Sequence, residues 1–232
     1  MRLLNLFDRR ANAGIHRRRP GVKIFFIGFN KTATAAIDYF LSMQGVESVH
    51  WLAGDDNLAV EIEKRVEQPD ALKRYLDRWT AYSDLTFSSE ALMLEGNRHF
   101  RLFHQLYPDA YFILNDRDVE GWTASRMKHR DGLFARRAAA SLDCEIEDLP
   151  RRWKEMHRLH VAAVLAYFEG NPRFLHFRVD QDDVARLIDL LAPDFRLRRR
   201  YWERRNVTGA PRRKQALAGL RARLRTGRRS FA

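Results

Sequence analysis

The hydrophobic pattern changes period within residues 22–43. Val22 to Ile27 is an almost unbroken run of β-branched and aromatic residues, as in a strand buried on both faces of a parallel sheet. Ala36, Ile37, Phe40, Leu41 and Met43 then recur at helical spacing, so the polar stretch 28–35 must carry the chain from a strand into a helix. The same arrangement returns at Ala110–Asn115, a second buried strand, followed by a helix over Val119–His129. Between the two units the pattern predicts a short strand over Val46–Trp51 and two helices within Asn57–Trp79, divided at Pro69. Ala81–Phe87 reads as a small strand or a lead-in loop, and Ser89–Leu106 as one helix stopped by Tyr107-Pro108-Asp109. A long helix over Pro150–Phe168, a strand over Phe174–Val179 and a helix over Val184–Leu191 complete the series. Strands alternating with helices predict an α/β fold, a doubly wound, mostly parallel sheet flanked by helices. Ligands in such folds bind beyond the carboxyl ends of the strands.

The length of 232 residues accommodates one good-sized core. We expect one α/β domain over 21–205, preceded by a basic arm (1–20) and followed by a basic tail (206–232). No apolar run approaches the roughly eighteen residues of a membrane span, and the N-terminal apolar segment is too short for a secretory signal. The single Cys144 has acidic neighbours, which disfavour a nucleophilic thiolate. It reads as structural and fits a reducing, cytoplasmic setting. The net charge of +12 implies anionic partners: nucleic acid, anionic lipid, or small phosphorylated or sulfated molecules. In the tail, Leu217, Leu220 and Leu224 fall in one helical stripe among arginines. That pattern suits peripheral contact with an anionic membrane, with nucleic acid a weaker expectation.

The candidate chemistry lies in the two strand-to-helix turns. In Gly28-Phe29-Asn30-Lys31-Thr32-Ala33-Thr34-Ala35, a lysine and two hydroxyls accompany the free N–H groups of a helix start, a setting for phosphate or sulfate. The G-x-x-x-x-G-K-[ST] signature of nucleoside triphosphatases is not met, because Lys31 lies only three residues after Gly28 and Ala33 stands where a second glycine would be. In the second turn, Arg117 leaves a strand end and Ser125 follows eight residues later, about two helical turns on, so both can face one anion. Asp116 admits a rival reading as a Mg²⁺-binding residue at the end of a strand, which would make the chain kinase-like or GTPase-like. His157 and His160 have no third ligand in view and read as surface or core histidines, so no metal is expected.

Gly-x-x-Lys-Thr-x-Thr in the first turn, and Arg117-Asp-x-x-x-Trp122-x-x-Ser125 in the second, together resemble sulfotransferases that use 3′-phosphoadenosine-5′-phosphosulfate (PAPS). The resemblance extends over roughly residues 22–190. It implies that Lys31, Thr32 and Thr34, in a loop with Asn30, Ala33 and Ala35, hold the 5′-phosphosulfate, while Arg117 and Ser125 hold the 3′-phosphate. It further implies transfer of a sulfuryl group to a hydroxyl or amine of a carbohydrate, glycolipid or small molecule, with Lys31 neutralising the leaving oxygen. Asp84 and His129 are the candidate general bases. Two positions depart from the family pattern: Ala33, usually Gly, and Ala35, usually Thr or Ser. The lost hydroxyl at 35 removes a donor worth about 0.5–1.5 kcal/mol, which leaves open a catalytically degenerate, basic binding protein.

Overall fold

A computed structural model describes residues 21–203. The basic arm and the basic tail, with its proposed amphipathic stripe, lie outside the described residues. The apolar run at the start becomes β1 (Ile24–Phe26), every residue of which is buried. It lies between β5 (Ala81–Ser83) and β8 (Tyr111–Asp116), parallel to both, with Ile24 opposite Ala81 on one side and Tyr111 on the other. Beyond β5 lies β2 (Ser48–His50) and beyond β8 lies β9 (Phe174–Arg178), again parallel. Two short antiparallel strands, β3 (Leu52–Ala53) and β4 (Asp56–Asn57), extend the β2 edge. The order is therefore β4-β3-β2-β5-β1-β8-β9. From β1 the chain first builds toward β2 and β5 and then crosses to β8 and β9, so β1 is the switch point outside whose carboxyl end a ligand crevice forms.

The alternation along β1 explains why helices cover both faces. Phe25 and Ile27 face a core shared with α2 (Leu58–Glu63), α3 (Pro69–Leu76), α4 (Phe100–Leu106) and α7 (Leu149–Tyr167). Ile24 and Phe26 face the opposite core, built with α1 (Thr34–Ser42) and α8 (Ala185–Leu191). Phe25 sits in an aromatic layer, its ring centroid 5.2 Å from Tyr82, 5.1 Å from Phe103 and 5.4 Å from Phe112. At about 1.5–3 kcal/mol per fully buried large side chain, these residues make the centre of the sheet the most strongly held part of the fold. A third cluster, including Phe29, Trp122, Phe134 and Trp153, forms where α5 (Val119–Met127), α6 (Leu133–Ser141) and α7 meet beside the end of β1.

The five parallel strands and the helices that cover them are those expected; the short antiparallel β3 and β4 were not, and two further segments differ. Ser89–Leu106 is not one helix. It contains β7 (Met93–Glu95), paired antiparallel with β6 (Thr86–Ser88), then a short 3₁₀ turn over Gly96–His99, and only then α4. The apolar residues at 91 and 92 belong to the hairpin tip, where Leu92 is 45% exposed, and not to a buried helical stripe. Helix α6 was not anticipated at all, although Phe134, Ala135, Ala138 and Ala139 are buried along one side of it. No helix among the described residues is long and apolar enough to cross a membrane.

Candidate active site

Residue 28 must be glycine because of where β8 runs. A Cβ on Gly28 would fall 1.8 Å from the Asn115 carbonyl oxygen, so it is close approach, and not a left-handed backbone, that requires glycine. The Gly28 N–H donates to Asn115 Oδ1 at 2.9 Å, and Asn115 Nδ2 donates to the Thr32 hydroxyl at 2.6 Å. Thr32 in turn donates to the Phe29 carbonyl at 2.5 Å. The Thr32 side chain is thus part of the loop's floor. Asn30 is held similarly: its carbonyl accepts from Trp122 Nε1 at 2.9 Å and its Oδ1 from Arg126 Nε at 2.7 Å.

With those groups tied down, Lys31, Ala33, Thr34 and Ala35 line one wall of a cleft of about 780 Å³ at the carboxyl ends of the strands. Lys31 and Ala33 both take left-handed backbones, with φ of 68° and 62°. Ala33 is the residue that caps α1, and it offers no side-chain hydrogen bond to the helix start. An alanine in this conformation costs about 1–2 kcal/mol, which accounts physically for glycine being usual there.

Arg117 follows β8 directly, and its Nη1 donates to the Lys31 carbonyl at 3.4 Å. Its Nε is buried without a hydrogen-bond partner among the described residues. Ser125, two turns along α5, lines the same cleft. His129 lies just past the end of α5, where its Nδ1 is 3.4 Å from Lys31 Nζ. Burial, together with the charges of Lys31 and Arg130, lowers His129 to about 4, so it is neutral at pH 7. Burial, and then the nearby Arg117 charge, also lowers Lys31, against the opposing pull of Asp84.

Asp84, at φ 55° just beyond β5, faces the loop from the opposite side. Its Oδ2 accepts from the Thr34 hydroxyl at 3.3 Å and lies 3.4 Å from His50 Nε2, which is itself 3.1 Å from the Thr34 hydroxyl. Although burial acts to lower His50, the hydrogen bond and charge of Asp84, with Asp38 farther off, raise it overall. His50 was not singled out from the sequence. Its position at the end of a strand that pairs with β5, with His50 opposite Ser83, is the signal that could have found it.

Arg126 was also missed. It is fully buried, with its guanidinium 5.4 Å from the Phe29 ring, 4.6 Å from Trp122, 5.1 Å from Phe134 and 5.1 Å from Trp153. Its charge is paired with Glu95 on β7; burial pushes the Glu95 carboxyl up and Arg126 opposes the shift. Asp116, the candidate Mg²⁺ residue of the kinase-like reading, is otherwise engaged. His157 Nε2 lies 2.7 Å from one carboxylate oxygen and His176 Nε2 2.9 Å from the other, while the Arg117 N–H donates to the first at 2.8 Å. Burial would raise this carboxyl, but those hydrogen bonds hold it well below the usual range. His160 Nε2 lies 2.7 Å from the Ile27 carbonyl oxygen. His157 and His160 are therefore packed polar groups.

A family model described as a sulfotransferase domain matches residues 23–187. The chain belongs to that sulfotransferase family. Solved structures similar to this sulfotransferase-family chain include a sulfotransferase from Alicyclobacillus acidocaldarius, with 15% identity, 87% of this chain and 91% of that chain covered, and a TM-score of 0.46. Another is the sulfotransferase STF9 from Mycobacterium avium, with 16% identity, 82% and 66% covered, and a TM-score of 0.45. Among curated proteins, none matches this chain.

Two outcomes follow from the loop. Ala33→Gly should stabilise the protein by up to about 1 kcal/mol in chemical denaturation, because relief of the left-handed alanine exceeds the added freedom of the unfolded chain; destabilisation would contradict the assigned conformation. The imidazole of His129 should titrate near 4 by NMR, below its ordinary 6.5, and Lys31→Met should move that midpoint upward. Since the folded state favours the neutral ring, this stabilisation is complete above about pH 6.5 and is lost as the pH falls through about 4. A midpoint at or above 6.5 would refute the geometry.

Proposed function

We propose that the chain is a PAPS-dependent sulfotransferase whose donor lies across the turns after β1 and β8. The observation that carries this reading is the convergence of Lys31 and Arg117 in one cleft. Neither forms an ion pair with a carboxylate among the described residues, and Arg117 has a buried Nε left unpaired. Two such cations, with the Ser125 hydroxyl and the open start of α1, suit a nucleotide carrying an anion at each end. Lys31, Thr34 and the loop backbone from 30 to 35 then meet the 5′-phosphosulfate, and Arg117 and Ser125 meet the 3′-phosphate. Thr32 and Asn30 contribute by fixing the loop.

In the reaction an acceptor oxygen attacks sulfur as the bond between sulfur and the bridging phosphate oxygen breaks, releasing 3′,5′-diphosphoadenosine. Charge develops on that bridging oxygen, where Lys31 supplies the compensating ammonium. His129 takes the acceptor proton, being neutral at pH 7 and next to Lys31. Before the donor binds, the ammonium occupies His129 Nδ1; moving it onto the donor frees that nitrogen. Asp84, with His50, orients Thr34 and the acceptor.

Incubation with PAPS and an acceptor panel should release 3′,5′-diphosphoadenosine. Lys31→Ala should lower the rate by about 10²–10³-fold while leaving unfolding stability within about 1 kcal/mol. No release by the unaltered protein, or a Lys31→Ala rate within a few-fold of it, would refute the proposal.

A further inference from the structure

We infer that the acceptor is itself an anion, a saccharide whose acidic group binds Arg130 and Arg137 while its ring lies beside Trp51. This inference rests on the donor reading above and concerns the other half of the same cleft. The donor loops stand over β1 and β8. The opposite half stands over β5 and β2, walled by His50 and Trp51 on one side, by Phe87 and Ser88 on β6, and by α6 with the turn before it.

Charge marks this half of the cleft. Several cations elsewhere sit in ion pairs: Arg65 and Lys64 with Glu61, Arg173 with Asp194, Arg178 and Arg186 with Asp182, Arg199 with Asp183. Arg130 and Arg137 line the cleft with no carboxylate partner among the described residues. Among the described residues Arg137 donates only to the Ser88 carbonyl, at a long 3.4 Å. Arg130 lies over the Trp51 ring, 5.0 Å from its centroid, which leaves its N–H fork unspent. Among the described residues, the carboxylates lining the cleft form no ion pair with either arginine: Asp84 is engaged by Thr34 and His50, and Asp180 by the Asp118 N–H at 2.8 Å.

The backbone holds Trp51 and Arg130 in place at a cost. Both take left-handed conformations, φ 60° and 53°, which bulky residues rarely adopt and which persist where the surroundings over-determine them. A guanidinium fork beside an aromatic face matches a molecule with a flat apolar ring face and a carboxylate, phosphate or sulfate. Such an acceptor would also assist the chemistry. The Arg130 charge is one cause of the lowered His129, so an anion bound to Arg130 makes that base stronger at the moment it is needed.

The test uses the full chain saturated with 3′,5′-diphosphoadenosine and two probes, phenyl β-glucoside and phenyl β-glucuronide, which differ only in a hydroxymethyl and a carboxylate group. Calorimetry should show the glucuronide binding at least about tenfold more tightly. Arg130→Gln and Arg137→Gln should each cut that preference to a few-fold while leaving 3′,5′-diphosphoadenosine affinity unchanged, which also shows the variants are folded. Equal affinities, including no measurable binding of either probe, or a preference that survives in the double variant, would overturn the inference. Failure of 3′,5′-diphosphoadenosine to bind would instead remove the donor reading, and the same pair of probes on the free protein would still decide whether Arg130 and Arg137 select an anion.

Discussion

The Asn115 side chain is the contact on which the site depends. It is almost completely buried at the end of β8, accepts from the Gly28 N–H and donates to the Thr32 hydroxyl. A buried amide of this kind is costly unless its hydrogen bonds are made, so the β1 loop and the end of β8 hold one another in register. That register brings Arg117, two residues beyond Asn115, against the Lys31 carbonyl. Two basic groups far apart in sequence therefore meet because β1 and β8 run side by side, with Phe26 opposite Ile113, and β8 continues past the end of β1 alongside its loop. Gly28 makes the approach sterically feasible.

Strain and unbalanced charge collect around the resulting cleft. Lys31, Ala33, Trp51, Asp84 and Arg130 line it with left-handed backbones, and Asp131 adjoins it; among the described non-glycine residues only Asp143 shares that conformation elsewhere. Each such residue costs about 1–3 kcal/mol and must be held by packing. Arg126 supports the β1 loop next to Lys31, joining Asn30, Glu95 and four aromatic rings in one buried cluster. The loop backbone and Arg117 are thus held in place without a ligand, while the Lys31 ammonium rests beside His129.

The central sheet was legible because its strands are short apolar runs and its helices amphipathic, so a change of period marked both ligand loops. Lys31, Thr34, Asp84, Arg117, Ser125 and His129 do line a single cleft. Ser89–Leu106 misled because apolar residues at a hairpin tip fell by chance at helical spacing, while β7 is held by its pairing with β6 and by Glu95 against Arg126, neither of which shows in the periodicity. His50 and Arg126 were missed because their roles come from distant elements. One acquires its role from a strand that pairs beside it, the other from rings on three helices and the loop after β1. Helix α6, with the Arg137 it brings to the cleft, shows its pattern in small alanines, a weaker signal than leucine or phenylalanine.

The claim that the turns after β1 and β8 grip the two anionic ends of one nucleotide is tested most directly with 3′,5′-diphosphoadenosine and 5′-AMP, which differ only in the 3′-phosphate. Calorimetric titration should show 3′,5′-diphosphoadenosine binding at least about tenfold more tightly to the unaltered protein, and Arg117→Ala should bring the two affinities together. Equal affinities in the unaltered protein, or a preference for the 3′-phosphate that survives loss of Arg117, would contradict it.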